Sequence, residues 1–404
     1  MNRREAMMIS GMPLAWRRGF AQAPQTPPSE VSEAPPGSPP TILLKDYRPV
    51  SIYKIPSSDI KKARHPVFDV HCHGARPIER LDEWVRLMDT VGVERSVIFT
   101  GASTPERFAE IAKPYEKYSG RFDLWCSFNL TGVDERGFGP NAVTSLEDCH
   151  RAGARGVGEL SDKGRGLGVR GTSPGDARLG AVARDRRIPP SPALSNPTDI
   201  GPHPDDPRLD ALFAKCGQLG MPVNIHVSDP VWAYQPMDKT NDGLMLAWTW
   251  RIDVKPGMYD HDQLIESLGR AVKKHSKTTF VACHLANLDY DLTRLGKMFD
   301  SYPNLFADIS ARFPEIATIP RFTSQFLQKY PDRVLCGTDL GYNQQMFSTT
   351  FRILESHDEH FYDPTLSGIN HWPLSGLGLP DDLLKRIYRD NAVAAFKRAQ
   401  ANAA

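Results

Sequence analysis

Eight short apolar runs punctuate the chain: VFDVHCHG (67–74), RSVIFTG (95–101), FDLWCSFNL (122–130), RGVGELS (155–161), PVNIHVS (222–228), TTFVACHL (278–285), LFADIS (305–310) and VLCGTDL (334–340). They lack the in-and-out alternation of a strand with one wet face, so they predict parallel strands covered on both sides. Between them, LDEWVRLMDTVG, PERFAEIAKPYEKY, NAVTSLEDCHRAG, DPRLDALFAKCGQLG, HDQLIESLGRAVKKH and FTSQFLQKYP carry apolar residues every three or four positions, the spacing of a helix packed by one face. DDLLKRIYRDNAVAAF, near the end of the chain, supplies an eighth helix. An open doubly wound sheet more often stops at about five or six strands, whereas eight strand–helix units close naturally into a (β/α)8 TIM barrel, the expected fold.

Two connections are long, and both follow strand C-termini, the face on which such barrels carry their chemistry. Residues 162–206, after the fourth strand, are rich in Gly, Pro and Arg and are expected to be partly disordered. Residues 229–259, after the fifth, hold Trp232, Tyr234, Trp248 and Trp250 and are expected either to cover a substrate or to pack as an inserted helix.

Ahead of the barrel lies an N-terminal extension of different character. Arg3 and Arg4 precede a short apolar stretch that ends in Ala21-Gln22-Ala23, so residues 1–23 read as a twin-arginine export signal and imply a periplasmic or otherwise exported protein. Trp16-Arg17-Arg18 and Pro13 interrupt that stretch, and a basic arm on a cytoplasmic protein is the competing reading. Residues 24–40, dense in Pro, Ser and Glu, form a linker that cannot bury enough apolar surface to fold, which places the barrel domain at 41–404. No run reaches the roughly 18 apolar residues of a membrane-spanning helix.

Charge narrows the partners. Lys and Arg number 49 against 48 Asp and Glu, a formal net charge of +1, so neither nucleic acid nor an anionic membrane is expected and a small-molecule substrate is. The six cysteines form no C-x-x-C pair and sit mostly in apolar runs, as buried thiols do.

The chemistry is expected at the strand tips. His71 and His73, one residue apart on a strand, face the same side within reach of one ion, while Cys72 faces the helices. His226 ends the fifth run, His284 the sixth and Asp339 the eighth, which brings five metal-competent side chains to one rim. Burying that many imidazoles with a carboxylate is costly without a cation to satisfy them.

With FDVHCHG (68–74), GVGEL (156–160), DDPRLDALFAKCGQLGMPVNIHVSD (205–229), ACHLAN (282–287), CGTDL (336–340) and RDNAVAAF (389–396), the chain resembles the amidohydrolase superfamily over about 67–396. It is most similar to the amidohydrolase-related branch around aminocarboxymuconate-semialdehyde decarboxylase. The resemblance implies one divalent ion, usually zinc with manganese as the alternative, bound by His71, His73, His226 and Asp339. It places His284 just outside those ligands, and because related proteins are often dimers it makes a homodimer an expectation.

An ion so held would bring the pKa of a bound water from about 15.7 toward 7, with Asp339 and His284 as general base and acid. Glu159, ending the fourth run, would either orient a metal-bound histidine from outside or help to bind a second ion. Arg76 and Arg312 are placed to meet an anionic substrate group, and Trp232 to contact substrate. Asp69 and Asp308 are expected to make structural hydrogen bonds. The reaction implied is hydrolysis of a small amide, lactone or ester; the alternative is non-oxidative decarboxylation of an aromatic or unsaturated acid. A catalytically inactive, metal-stabilised scaffold is a third class, disfavoured because every liganding position is filled.

Overall fold

The computed structural model describes residues 41–74, 80–169, 200–363 and 370–403. The expected export signal and linker, Arg76, and the middle of the connection after the fourth strand lie outside the described residues. The chain divides into two units, Met1–Asp46 and Tyr47–Ala404. Of the first, the described part contains one 3-10 turn, Leu44–Asp46. The second is the barrel.

Its strands are β1 (Val67–His73), β2 (Val93–Phe99), β3 (Phe122–Trp125), β4 (Val157–Asp162), β5 (Val223–Val227), β6 (Phe280–Ala282), β7 (Leu305–Asp308) and β8 (Val334–Leu335). Every pairing between them is parallel and joins neighbours in sequence, β1 to β3 and β4 to β8. Two seams close the ring. A bridge between Cys126 and Val157 joins β3 to β4, and the Val70 N–H donates to the Cys336 carbonyl at 2.9 Å while the Asp339 N–H donates to that of His71 at 2.8 Å. The result is the (β/α)8 barrel that the apolar runs predict.

The runs overestimate the strands at their C-terminal ends. β3 stops at Trp125 rather than 130, β6 at Ala282 rather than 285, and β8 at Leu335 rather than 340. Past β6 and β8 the run His284–Asn287 and Asp339, and past β5 Ser228, adopt positive φ, a backbone that cannot continue a strand. The eighth-helix expectation also needs correction. Gln344–Glu355 follows β8, started by the Asn343 side chain accepting from the Met346 N–H, while the terminal run forms Asp381–Lys385, a π turn and Asn391–Ala403.

The interior is layered. Phe68, Val70, Val97, Phe99, Trp125, Val281, Phe306 and Leu335 on the strands make an apolar cluster that Ala392, Ala395 and Phe396 of the last helix complete. A larger core fills the space between strands and helices. The helix Leu81–Val91, for example, buries Leu81, Trp84, Val85, Met88 and Val91 and ends at Gly92, whose φ of 87° suits a residue without Cβ. Each such side chain contributes about 1.5–3 kcal/mol of burial. All six cysteines are buried free thiols. Among the described residues no helix is long and apolar enough to cross a membrane.

Candidate active site

Polar side chains gather above the apolar cluster, where β1, β4, β5, β6 and β8 end. A register shift between Asp69 and Cys72 sets the final turn of β1, with Asp69 accepting from the His71 N–H at 3.2 Å and from the Thr338 N–H at 3.0 Å. His71 is fully buried, its ring 4.9 Å from that of Phe99. Its Nδ1 lies 3.1 Å from Asp308 Oδ2 and 3.0 Å from Ser310 Oγ, which turns Nε2 toward the rim. Gly337 allows this packing, since a Cβ there would stand 2.9 Å from that of His71.

His73 Nε2 lies 3.0 Å from Asp339 Oδ1, and His71 Nε2 lies 3.3 Å from the same oxygen. Their ligand atoms form one group capable of holding an ion. Glu159 is the hub of a second. Its Oε1 accepts from His226 Nδ1 at 2.6 Å and lies 3.6 Å from His284 Nε2 and 3.9 Å from His71 Nε2, while Oε2 lies 3.3 Å from His73 Nε2. Of the four residues that the sequence resemblance makes ligands, His71, His73 and Asp339 therefore meet directly, and His226 joins them through Glu159.

His284 opens a turn in which four successive residues, His284 to Asn287, have φ between 53° and 59°. The His284 N–H donates to Asp308 Oδ1 at 3.0 Å, and Nδ1 donates to the Ser310 carbonyl at 2.8 Å, leaving Nε2 unprotonated and facing Glu159. Ser310 and Asp308 thus orient two imidazoles at once.

The electrostatics follow from burial and charge. Burial lowers His73 and His226, but the carboxylates of Asp339, Glu159 and Asp229 outweigh it and raise both to about 9. At His284 burial, joined by the charges of His226 and His71, outweighs Glu159 and Asp339, and the imidazole is lowered. Burial would raise Glu159 and Asp339, yet the surrounding imidazoles hold both well below the usual carboxylate range. Asp308 falls to about 2 against the same burial through His71.

The residues fit a divalent cation. Nε2 of His71 and Nε2 of His226 are buried without a hydrogen bond, although each lies within 3.4 Å of a carboxylate oxygen. A buried imidazole nitrogen is costly when unpaired, and mixed imidazole and carboxylate donors suit zinc or manganese.

Asp229 and Lys163 were not foreseen. Asp229 Oδ1 lies 3.4 Å from His226 Nε2, and its Oδ2 pairs with Lys163 Nζ at 3.0 Å. Against burial, Lys163 and then His226 bring Asp229 down to about 2. Lys163 directly follows β4 and Asp229 lies two residues beyond β5, the signal that could have found them. Asp162, ending β4, accepts from the Gly164 and Gly166 N–H groups and from His203 Nδ1 at 2.7 Å, tying the described flanks of the connection after β4 together.

Trp232 and Arg312, the described residues expected to contact substrate, both have protein partners. Trp232 packs with Ala233, Ala247 and Ile252 inside the 229–259 insertion, against Gly243, the inserted-helix reading of its tryptophans. Arg312 is buried and donates from Nε and Nη2 to Asn287 Oδ1, at 3.1 and 2.6 Å, and from Nη1 to the Ala311 carbonyl. A cavity of about 250 Å³ opens beside Glu159, where Ser127, Asn129 and Ser161 face Phe128, Leu130 and Leu160.

The amidohydrolase family model matches residues 68–398. No curated protein matches the sequence. An uncharacterised TIM-barrel protein from Bordetella bronchiseptica is 17% identical over 83% of this chain and 99% of its own, with a TM-score of 0.43. A 5-carboxyvanillate decarboxylase from Novosphingobium aromaticivorans, solved with manganese and a nitrobenzoic acid, is 13% identical over 85% and 100%, with a TM-score of 0.45. An amidohydrolase from Burkholderia multivorans with bound zinc is 11% identical over 82% and 99%, with a TM-score of 0.43.

Proposed function

Since the chain belongs to the amidohydrolase family, we propose that it is a metal-dependent hydrolase of a small amide, lactone or ester. The observation that carries this reading is the gathering of four imidazoles around Glu159 and Asp339 with two buried ring nitrogens left unpaired. His71, His73, His226 and Asp339 would hold the ion, with Glu159 set among the imidazoles and joined to His226 Nδ1. A divalent ion there supplies Lewis acidity toward a carbonyl oxygen and makes water more acidic.

The protein's own groups divide the remaining work. Asp339, kept ionised by its neighbours, accepts a hydrogen bond from water and fixes its direction. His284, neutral because burial lowers it and with Nδ1 committed to Ser310, offers Nε2 as the base that takes a proton and returns it to the leaving group. The cavity beside Glu159, where Ser and Asn side chains meet Phe128, Leu130 and Leu160, would receive a small substrate arm.

The test joins elemental analysis of the purified protein to a screen of lactones, amides, esters and aromatic acids. Release of a carboxylate with an alcohol or amine, abolished by chelation and restored by zinc or manganese, is the expected result. Carbon dioxide as product assigns the chain to decarboxylation instead.

A further inference from the structure

The turn after β6 is built against the preference of its residues. His284, Leu285, Ala286 and Asn287 have φ of 59°, 54°, 56° and 53°, and the first three carry ψ of 41°, 33° and 23°, one turn of left-handed helix. Each of these residues bears a Cβ that crowds the following carbonyl in that conformation, and non-glycine residues visit it singly rather than in series. Such a run persists only where its surroundings determine it.

Asn287 is where the surroundings converge. Its Nδ2 donates to the Val227 carbonyl at 2.9 Å, one residue beyond His226 on β5. Its Oδ1 accepts both Nε and Nη2 of Arg312, and its carbonyl accepts from His261 Nε2 at 3.1 Å. At the other end of the turn, the His284 N–H and Nδ1 are held by Asp308 and Ser310 of β7 and its extension. Leu285 and Ala286 between them are buried.

Arg312 itself is 8% exposed, and Asp289 Oδ1 lies 3.6 Å from its Nε. Its planar guanidinium aims two donors at one amide oxygen and a third at the Ala311 carbonyl, a planar multi-donor arrangement that lysine cannot reproduce.

The geometry points to Arg312 and Asn287 as a positioning clamp that holds the left-handed turn and so aims His284, with Arg312 serving the turn rather than a substrate anion. The clamp spans three strand tips, binding the β6 turn to Val227 on one side and to Arg312 on the other. The function given to His284 rests on the hydrolase reading; the clamp does not.

The experiment therefore has an arm that needs no activity. Hydrogen exchange of the amides at 284–288 is measured in the full-length wild type, Arg312→Lys, Arg312→Gln and Asn287→Ala. Loss of the clamp opens the turn locally, so exchange there should accelerate at least about tenfold in Arg312→Gln and Asn287→Ala, less in Arg312→Lys, with β2 and β3 unchanged. Unchanged exchange in the turn overturns the clamp. If Arg312→Gln fails to fold, Arg312→Lys carries the same comparison.

With a substrate in hand, misaiming His284 should lower kcat about 100-fold in Arg312→Gln while KM stays within about twofold. A KM that rises for an acidic substrate at constant kcat makes Arg312 a substrate contact and overturns the clamp. Accelerated exchange without any hydrolase activity leaves the clamp standing and removes the catalytic reading alone.

Discussion

The two halves of the rim hold their imidazoles by different means. On the β1, β7 and β8 side, His71 is fixed by a connected set of side-chain hydrogen bonds tied at several points to backbone N–H groups: Asp69 to Thr338 and to its own turn, Asp308 to His71, His284 and Asn224, Ser310 to both rings. On the β4 and β5 side, His226 stands in a line of alternating charge, with Glu159 before it and Asp229 and Lys163 behind. The first arrangement is rigid because every bond has a second anchor. The second depends on charge balance, and removing one member leaves the next buried and uncompensated.

That contrast can be broken most sharply at Asp308. Asp308→Ala removes partners of His71, His284 and Asn224 together, and it should weaken metal retention about 100-fold and lower stability by about 3 kcal/mol, as read by elemental analysis and urea titration. On the other half, Asp229→Asn keeps the shape but removes the negative charge between His226 and Lys163, and about tenfold weaker metal binding is expected. Equal losses at the two sites would erase the distinction.

Gly337→Ala probes the rigid half by crowding instead of deletion. A Cβ there meets those of His71, Ser310 and Asp308 at 2.9, 3.3 and 3.4 Å, so a loss of about 1–3 kcal/mol is expected, with metal content falling alongside Tm. The same substitution at Gly139, where a Cβ meets nothing within 4 Å, should leave both unchanged.

The smallest effect concerns protons. In metal-free protein, His73 and His226 are raised from 6.5 to about 9, so the stability they contribute is complete below pH 6.5 and is lost as pH rises through about 9. Chelated protein should lose a few degrees of Tm across that window, while protein loaded with zinc, whose ion displaces those protons, should not. A Tm for the chelated protein that is flat or rising from pH 6.5 to 9.5 would contradict the carboxylate contacts that raise the two histidines.

The barrel was legible because its strands are buried on both faces and so appear as continuous apolar runs. Their ends were not, because His284 to Asn287 and Asp339 look like strand residues by composition yet take a backbone that only their tertiary partners enforce. The site was legible where one short motif fixes direction, as for His71 and His73, and where a polar residue ends an apolar run. The pairing of Lys163 with Asp229 was not legible, because position after a strand end marks each residue but an ion pair between two loops leaves no spacing to read. The protein partner of Arg312 was not legible for a related reason: Asn287 lies on a different strand tip, and nothing local says that the guanidinium is engaged there. Gln344–Glu355 was missed because its polar first turn hides the apolar face that begins at Phe347.

The central claim is that these strand tips are gathered around a cation. Titration of chelated, dialysed protein with zinc or manganese, followed by calorimetry in wild type and in His71→Ala, tests it most directly. The account predicts a single tight site per chain in the wild type, at least about 100-fold weaker in the variant. Wild-type protein that takes up neither ion, or a His71→Ala variant that binds as tightly as the wild type, would contradict it.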